Sequence, residues 1–148
     1  METKQSSMNK EFVPYEQALA LKELGFSSPY PIGGYQGGAV FYYEKGNLYY
    51  DGRPMYSSDA HEGQIYAPLF QQAFRWFREK YELHSYIYSD YSWNISGGIW
   101  DLNGYKDLRY DLDSEPYTTF EEAESACIEN LIEIVKNYNE TQGDKDEQ

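Results

Sequence analysis

Hydrophobic positions recur with a helical period along "PLFQQAFRWFREKY". Phe70, Ala73, Phe74, Phe77 and Tyr81 fall at i, i+3, i+4, i+7 and i+11, while Gln71, Arg75, Arg78 and Glu79 lie off that line. This spacing predicts an amphipathic helix, its apolar face widened by Trp76. A second helical period, Phe120, Ala123, Cys127, Leu131, Ile134 and Tyr138, is broadened by Ile128, Ile132 and Val135. It predicts a helix from Thr119 to about Tyr138, opened by a capping box in which Thr119 and Glu122 serve each other's backbone N–H groups. A shorter helix is predicted in "VPYEQALALKELGF". There Pro14 suits the first turn, Gly25 suits the left-handed position after the last turn, and Phe26 can pack back on Leu21 as in a Schellman stop.

Between the first two helices the pattern changes. In "GGYQGGAVFYYEKGNLYYDGR" the glycines precede "AVFYY", which is β-branched and aromatic, then "EKGN" as turn material, then "LYY" and "DG". That order reads as a β-hairpin. It is the wrong order for a phosphate loop, whose glycines stand between a strand and a helix so that backbone N–H groups meet the anion. Farther on, "SYIYSDYSW" and "GGIWDLNGYKDLRYDLD" read as strands. Leu108, Tyr110 and Leu112 alternate there with Arg109, Asp111 and Asp113, and Asn103-Gly104 is a favoured two-residue hairpin turn. Helices and strands are segregated along the chain, which predicts an α+β fold: a small antiparallel sheet of about four strands with three helices packed mainly on one face. Residues 1–10 and 139–148 are polar and aperiodic and are expected to be tails around a single domain over 11–138.

Composition narrows the class. A chain of 148 residues with 41% hydrophobic and 18% aromatic residues, 17 of them tyrosine, has enough apolar surface for a core. Cys127 is the lone cysteine, which excludes an intrachain disulfide and a cysteine-based zinc cage and points to the cytosol. No apolar run reaches the roughly 20 residues of a membrane span, and the start of the chain lacks the apolar segment of a signal peptide. The formal charge is −13, and residues 121–148 alone carry −7 of it. Such a field opposes direct nucleic-acid binding, which draws on Lys and Arg at the phosphates.

Three stretches, "NKEFVPYEQALALKELGF", "APLFQQAFRWFREKYELHSYIY" and "FEEAESACIENLIEIVK", resemble a group of short proteins encoded in bacteriophages and in Bacteroidetes genomes; "QQAFRWFREKY" is the most specific part. The resemblance covers about half the chain and implies a phage or mobile-element setting and a shared scaffold. It carries no activity, substrate or site residue, and it does not extend to the aromatic segment from Gly33 to His61.

The chemistry on offer is limited. "HEGQI" breaks the zincin pattern at its last position, and neither His61 nor His84 follows a glutamate by three residues as a di-iron helix requires. Asp107, Asp111 and Asp113 lack the glycine and closing glutamate of a calcium loop. Ser57, Ser58 and His61 share one loop without the rigid separation of a triad, and Cys127 sits on an apolar stripe, where thiols are inert. No catalytic residue, metal or cofactor is expected, and the chain reads as a binding protein and not an enzyme. The candidate surface is the tyrosine-rich hairpin: Tyr35, Tyr42, Tyr43, Tyr49 and Tyr50, with Arg53 beside them. Its expected partner is a host or phage protein. Two alternatives stand beside it: a small nucleotide held by aromatic rings with Arg53, Arg75, Arg78 or Arg109 on its phosphate, and a nucleic-acid mimic built on the acidic line Glu122, Glu129, Glu133 and Glu140 of the last helix.

Overall fold

The structure, a computed structural model, describes residues 10–26, 40–51, 63–90, 92–101, 104–107 and 117–146. The chain divides into two compact units, Met1–Leu69 and Phe70–Gln148. The α+β class, the antiparallel pairing and the three helices match the hydrophobic pattern, but the strands form two three-stranded sheets in place of one sheet of about four. Among the described residues no helix is long and apolar enough to cross a membrane.

In the first unit, helix α1 (Tyr15–Glu23) follows Pro14 at its N-cap. It stops as its sequence dictates. Gly25 adopts φ 89°, its N–H reaches the Lys22 carbonyl at 3.0 Å, and the Phe26 N–H reaches the Leu21 carbonyl at 2.9 Å, which is the Schellman pair. Strands β1 (Val40–Glu44) and β2 (Asn47–Asp51) form the hairpin. Lys45 at φ 51° and Gly46 at φ 79° make the two-residue, left-handed turn whose twist matches that of paired strands. Strand β3 (Gln64–Tyr66) joins the other side of β1, giving the order β2-β1-β3. Three residues show no period, which is why β3 is illegible in the sequence. Directly opposed residues share a face in an antiparallel ladder. Tyr43 therefore shares one face with Leu48 and Ile65, and Tyr42 shares the other with Tyr49 and Tyr66.

Tyr43 anchors this unit. It is 7% exposed, its hydroxyl donates to the Val13 carbonyl at 2.7 Å, and the Tyr15 ring meets it edge-on at 5.6 Å. The Val13 N–H in turn donates to the Pro68 carbonyl at 2.9 Å, and Phe12 bridges Leu69 while its ring contacts Phe41 at 4.6 Å. The segment leading into α1 is thereby bound to the central strand and to the chain leaving β3.

In the second unit, helix α2 (Phe70–Tyr81) buries Phe70, Ala73 and Phe77 and leaves Gln71, Arg75, Arg78 and Glu79 exposed, as its period requires. Strands β4 (His84–Ser89), β5 (Ile95–Asp101) and β6 (Gly104–Asp107) pair in that order. Helix α3 (Phe120–Asp146) packs on β4, β5 and α2. Two expectations change here. Gly104 already stands in β6 opposite Asp101, so it is a strand residue and not the second residue of an Asn103-Gly104 turn; the alternating run Leu108–Asp113 lies outside the described residues. Helix α3 also continues through residues expected to be a tail, ending at Asp146, with the Thr141 hydroxyl donating to the Asn137 carbonyl at 2.8 Å. Polar residues without a proline let the hydrogen-bond ladder continue, and Gly143 costs about 1 kcal/mol without breaking it.

The apolar stripe of α3 is also centred differently. Ala123, Cys127, Ile128, Leu131, Ile132 and Val135 are buried, while Phe120 and Tyr138 are exposed. A helix of 27 residues spans about 40 Å and a strand of seven about 23 Å, so the helix ends overhang the sheet that covers its middle. The expected capping box is present in part. The Glu122 N–H donates to the Thr119 hydroxyl at 3.1 Å, and the Glu122 carboxylate accepts from the N–H and hydroxyl of Thr118, which holds it below the ordinary carboxylate value.

Replacing Tyr43 with Phe leaves the buried Val13 carbonyl without its donor and should cost about 1–3 kcal/mol in urea unfolding. Tyr49→Phe, on the exposed face, should stay within about 0.5 kcal/mol. Equal losses from the two variants would remove Tyr43 from the anchoring role.

Candidate functional site

The structure separates the tyrosines grouped by the sequence. Tyr42 and Tyr49 are register partners whose rings stack at 5.7 Å with planes 22° apart, and Tyr49 is 44% exposed. Tyr43, on the opposite face, is not a binding residue: it is buried, and its hydroxyl, raised by burial above its ordinary value of 10.0, is committed to Val13. Tyr50 stands opposite Phe41 in the ladder. Tyr35, Arg53 and Arg109 lie outside the described residues, as do Ser57, Ser58, His61, Asp111 and Asp113. Of the tyrosine surface, the described part is one stacked pair on a hairpin with a conformationally fixed turn.

The alternative sites fare unevenly. Arg75 is engaged by Glu79 one helical turn away, Nε to Oε1 at 2.7 Å, and Arg78 is exposed on the same helix. Glu129, Glu133 and Glu140 are exposed along α3, but Glu122 is occupied by Thr118 at the helix start. Among the described residues, no group of three or more His, Cys, Asp or Glu stands where it could hold a metal ion. Cys127 is buried beneath the sheet, and its thiol, bonded to Ser85, is pushed up to about 12, chiefly by burial.

Two aromatic features escape the sequence reading. "SYIYSDYSW" is not one strand: β4 ends at Ser89, and Asp90 organises the turn to β5. Its Oδ1 accepts from the N–H groups of Ser92 and Asn94 at 2.8 and 3.0 Å, and its Oδ2 accepts from the Asn94 side chain at 3.2 Å. Trp93 stands in that turn at φ 64° and 87% exposed. The cluster of Ser, Asp and Asn is the turn signal that could have shown this.

The second feature is a row of rings across β4 and β5. His84 opposes Trp100 and stacks on it at 5.5 Å, Tyr86 contacts Trp100 at 5.4 Å, and Tyr88 stacks on Tyr86 at 5.7 Å. Gly98, opposite Tyr86, makes this packing feasible. A Cβ there would lie 2.7 Å from the Tyr86 hydroxyl oxygen and 2.9 Å from two ring carbons, so the ring end lies down over the bare strand. The rings occupy the face opposite α3, because the alternate residues Ser85 and Ile99 turn the other way, Ser85 bonding Cys127 and Ile99 buried. Alternation of Tyr86 and Tyr88 in β4 was a usable signal; the pairing that adds His84, Gly98 and Trp100 was not.

Comparison with family models, with curated proteins and with solved structures finds no match to this chain. The functional reading therefore rests on the geometry of these surfaces.

Cys127 should react with iodoacetamide at pH 8 on the order of a thousandfold more slowly in the native protein than in urea, because a thiol at about 12 is almost wholly protonated. A folded value raised from 9.0 favours the fold fully below pH 9 and loses that contribution as pH rises toward 12. Rapid labelling of the native chain would show that Cys127 is reachable.

Proposed function

We propose that this chain is a non-catalytic binding protein that docks on another macromolecule through the Tyr42–Tyr49 face of its β1–β2 hairpin. The observation that carries the reading is the stacked pair itself, with Tyr49 exposed on an edge strand. Stacked rings of this kind present rigid apolar area with polar tips, at little cost in side-chain entropy on binding. The hairpin presents them on a preorganised support, since its turn is held by two consecutive left-handed residues. Among the described residues, the reactive groups nearest to catalysis are used otherwise: Cys127 is buried and protonated, and His84 is stacked on Trp100. The nucleotide alternative loses one phosphate holder, since Arg75 is paired with Glu79. Glu129 and Glu133 add exposed negative charge that steers a basic partner toward the molecule. The helix resemblance to phage and Bacteroidetes proteins gives the setting: a phage-encoded antagonist of a host defence protein, acting in the host cytoplasm.

The double variant Tyr42→Ser, Tyr49→Ser should weaken capture of the partner from host lysate by at least about tenfold, as loss of a central aromatic anchor does, with the far-UV circular dichroism unchanged. Tyr43→Phe should retain capture in the same assay. Undiminished capture by the double variant would reject the hairpin as the docking surface.

A further inference from the structure

Strand β2 ends the first sheet on one side, and its backbone defines what that edge accepts. The geometry points to a second copy of this chain: two β2 strands pair antiparallel about a two-fold axis at Tyr49, joining their three-stranded sheets edge to edge. Three observations carry this assignment.

The direction of the outer hydrogen-bonding groups is fixed. The Phe41 carbonyl accepts from the Ala67 N–H at 3.0 Å, on the β3 side of β1. Opposed residues of an antiparallel ladder turn their N–H and C=O groups either toward each other or away from each other, alternately along the strand. Phe41 and Tyr43 therefore point theirs at β3, and their ladder partners Tyr50 and Leu48 point theirs away from β1, across the outer edge of β2. Among the described residues no strand lies beyond that edge, and Asn47 and Tyr49 are exposed.

The edge is also unguarded. Edge strands commonly carry a lysine, a proline or a bulge that discourages a further strand. "NLYYD" has neither lysine nor proline, and its pairing with β1 is unbroken over all five residues.

Finally, the strand is complementary to itself. With Tyr49 opposite Tyr49 of the second copy, Leu48 of each copy meets Tyr50 of the other, and each of these pairs exchanges both N–H···O=C bonds. Asp51, the single charged residue of the strand, falls opposite Asn47, so no like charges meet. The two Tyr49 residues form the closer, non-hydrogen-bonded kind of pair, with Cα atoms about 4.5 Å apart. Tyr49 is 44% exposed in the single chain and already stacks on Tyr42 at 5.7 Å, so pairing continues that stack into its copy. A strand of unrelated sequence would satisfy the backbone without extending the rings. The contact is isologous and closes at two copies. It uses the strand edge and leaves the ring face of the hairpin open, so it does not rest on the docking reading.

The test is sedimentation velocity of the purified full chain. The native chain should pass from monomer to dimer between about 1 µM and 1 mM, the range a small interface supports. Leu48→Pro removes one outward N–H while leaving every bond to β1, and should raise the dimer dissociation constant at least about tenfold. Tyr49→Lys and Tyr49→Glu each place like charges opposite one another and should each be monomeric, whereas an equimolar mixture of the two should dimerise again. That rescue is specific to a two-fold at Tyr49. Circular dichroism checks that each variant folds, and the Tyr49 pair decides should Leu48→Pro unfold. The proposal is overturned by a native chain that stays monomeric at about 1 mM, which would leave the edge to a strand of another protein. It is also overturned by dimers that survive Tyr49→Lys, or by a mixture that stays monomeric. Sedimentation involves no partner protein, so loss of the dimer leaves the docking reading standing, and failure of lysate capture leaves the dimer standing.

Discussion

An antiparallel sheet covered by helix on one face must dispose of its other face, and the side-chain period of two leaves no freedom in the assignment once one residue is placed. In the second unit that constraint is set at Ile99. Its burial on the α3 side sends Gly98 and Trp100 to the opposite side, and the ladder brings Tyr86 and His84 beside them. In the first unit Tyr43 plays the same part. Its burial against Val13 sends Tyr42 and Tyr49 to the far face. Both aromatic surfaces are therefore consequences of which neighbour is buried, not separate devices.

The two surfaces differ in how far the fold itself uses them. The Tyr42–Tyr49 stack is a cross-strand pair, and pairs of this kind contribute about 0.5–1.5 kcal/mol beyond the area they bury. It stabilises its hairpin and still presents ring area to solvent. The His84–Trp100–Tyr86–Tyr88 row is longer and is tied to a glycine whose missing side chain makes room for the central ring. Adding even a methyl group at Gly98 would push the Tyr86 ring off the strand.

Acidity enters in the same local manner. The excess negative charge belongs mostly to the second unit, and there part of it is structural: Glu122 closes the start of α3 with Thr118 and Thr119, and Asp90 holds the β4–β5 turn through three hydrogen bonds. Glu129, Glu133 and Glu140 have no such duty among these contacts and remain on the solvent side of α3. They set the sign of the field through which any ligand approaches.

Local chemistry determined much of what the chain does over short spans. The Schellman stop at Gly25, the turn at Lys45-Gly46, the stripe of α2 and the Thr119 cap each depend on residues within about one turn of one another, and each stands where the sequence places it. Alternation likewise announced that Tyr42 and Tyr43 would part to opposite faces. It could not say which of them would be buried, because that depends on Val13, thirty residues away. Nor could it bring His84 to Trp100 or Tyr86 to Gly98, since those pairs exist only in one register of β4 against β5. A shift of one residue would exchange the faces, and the register is held by the burial of Ile99 and by the hydrogen bond between Ser85 and Cys127 on the α3 side, contacts made only when the helix docks. The tertiary structure therefore decided which aromatic residues became core and which became surface, because burial is a property of the neighbours a strand acquires and not of the strand's own sequence.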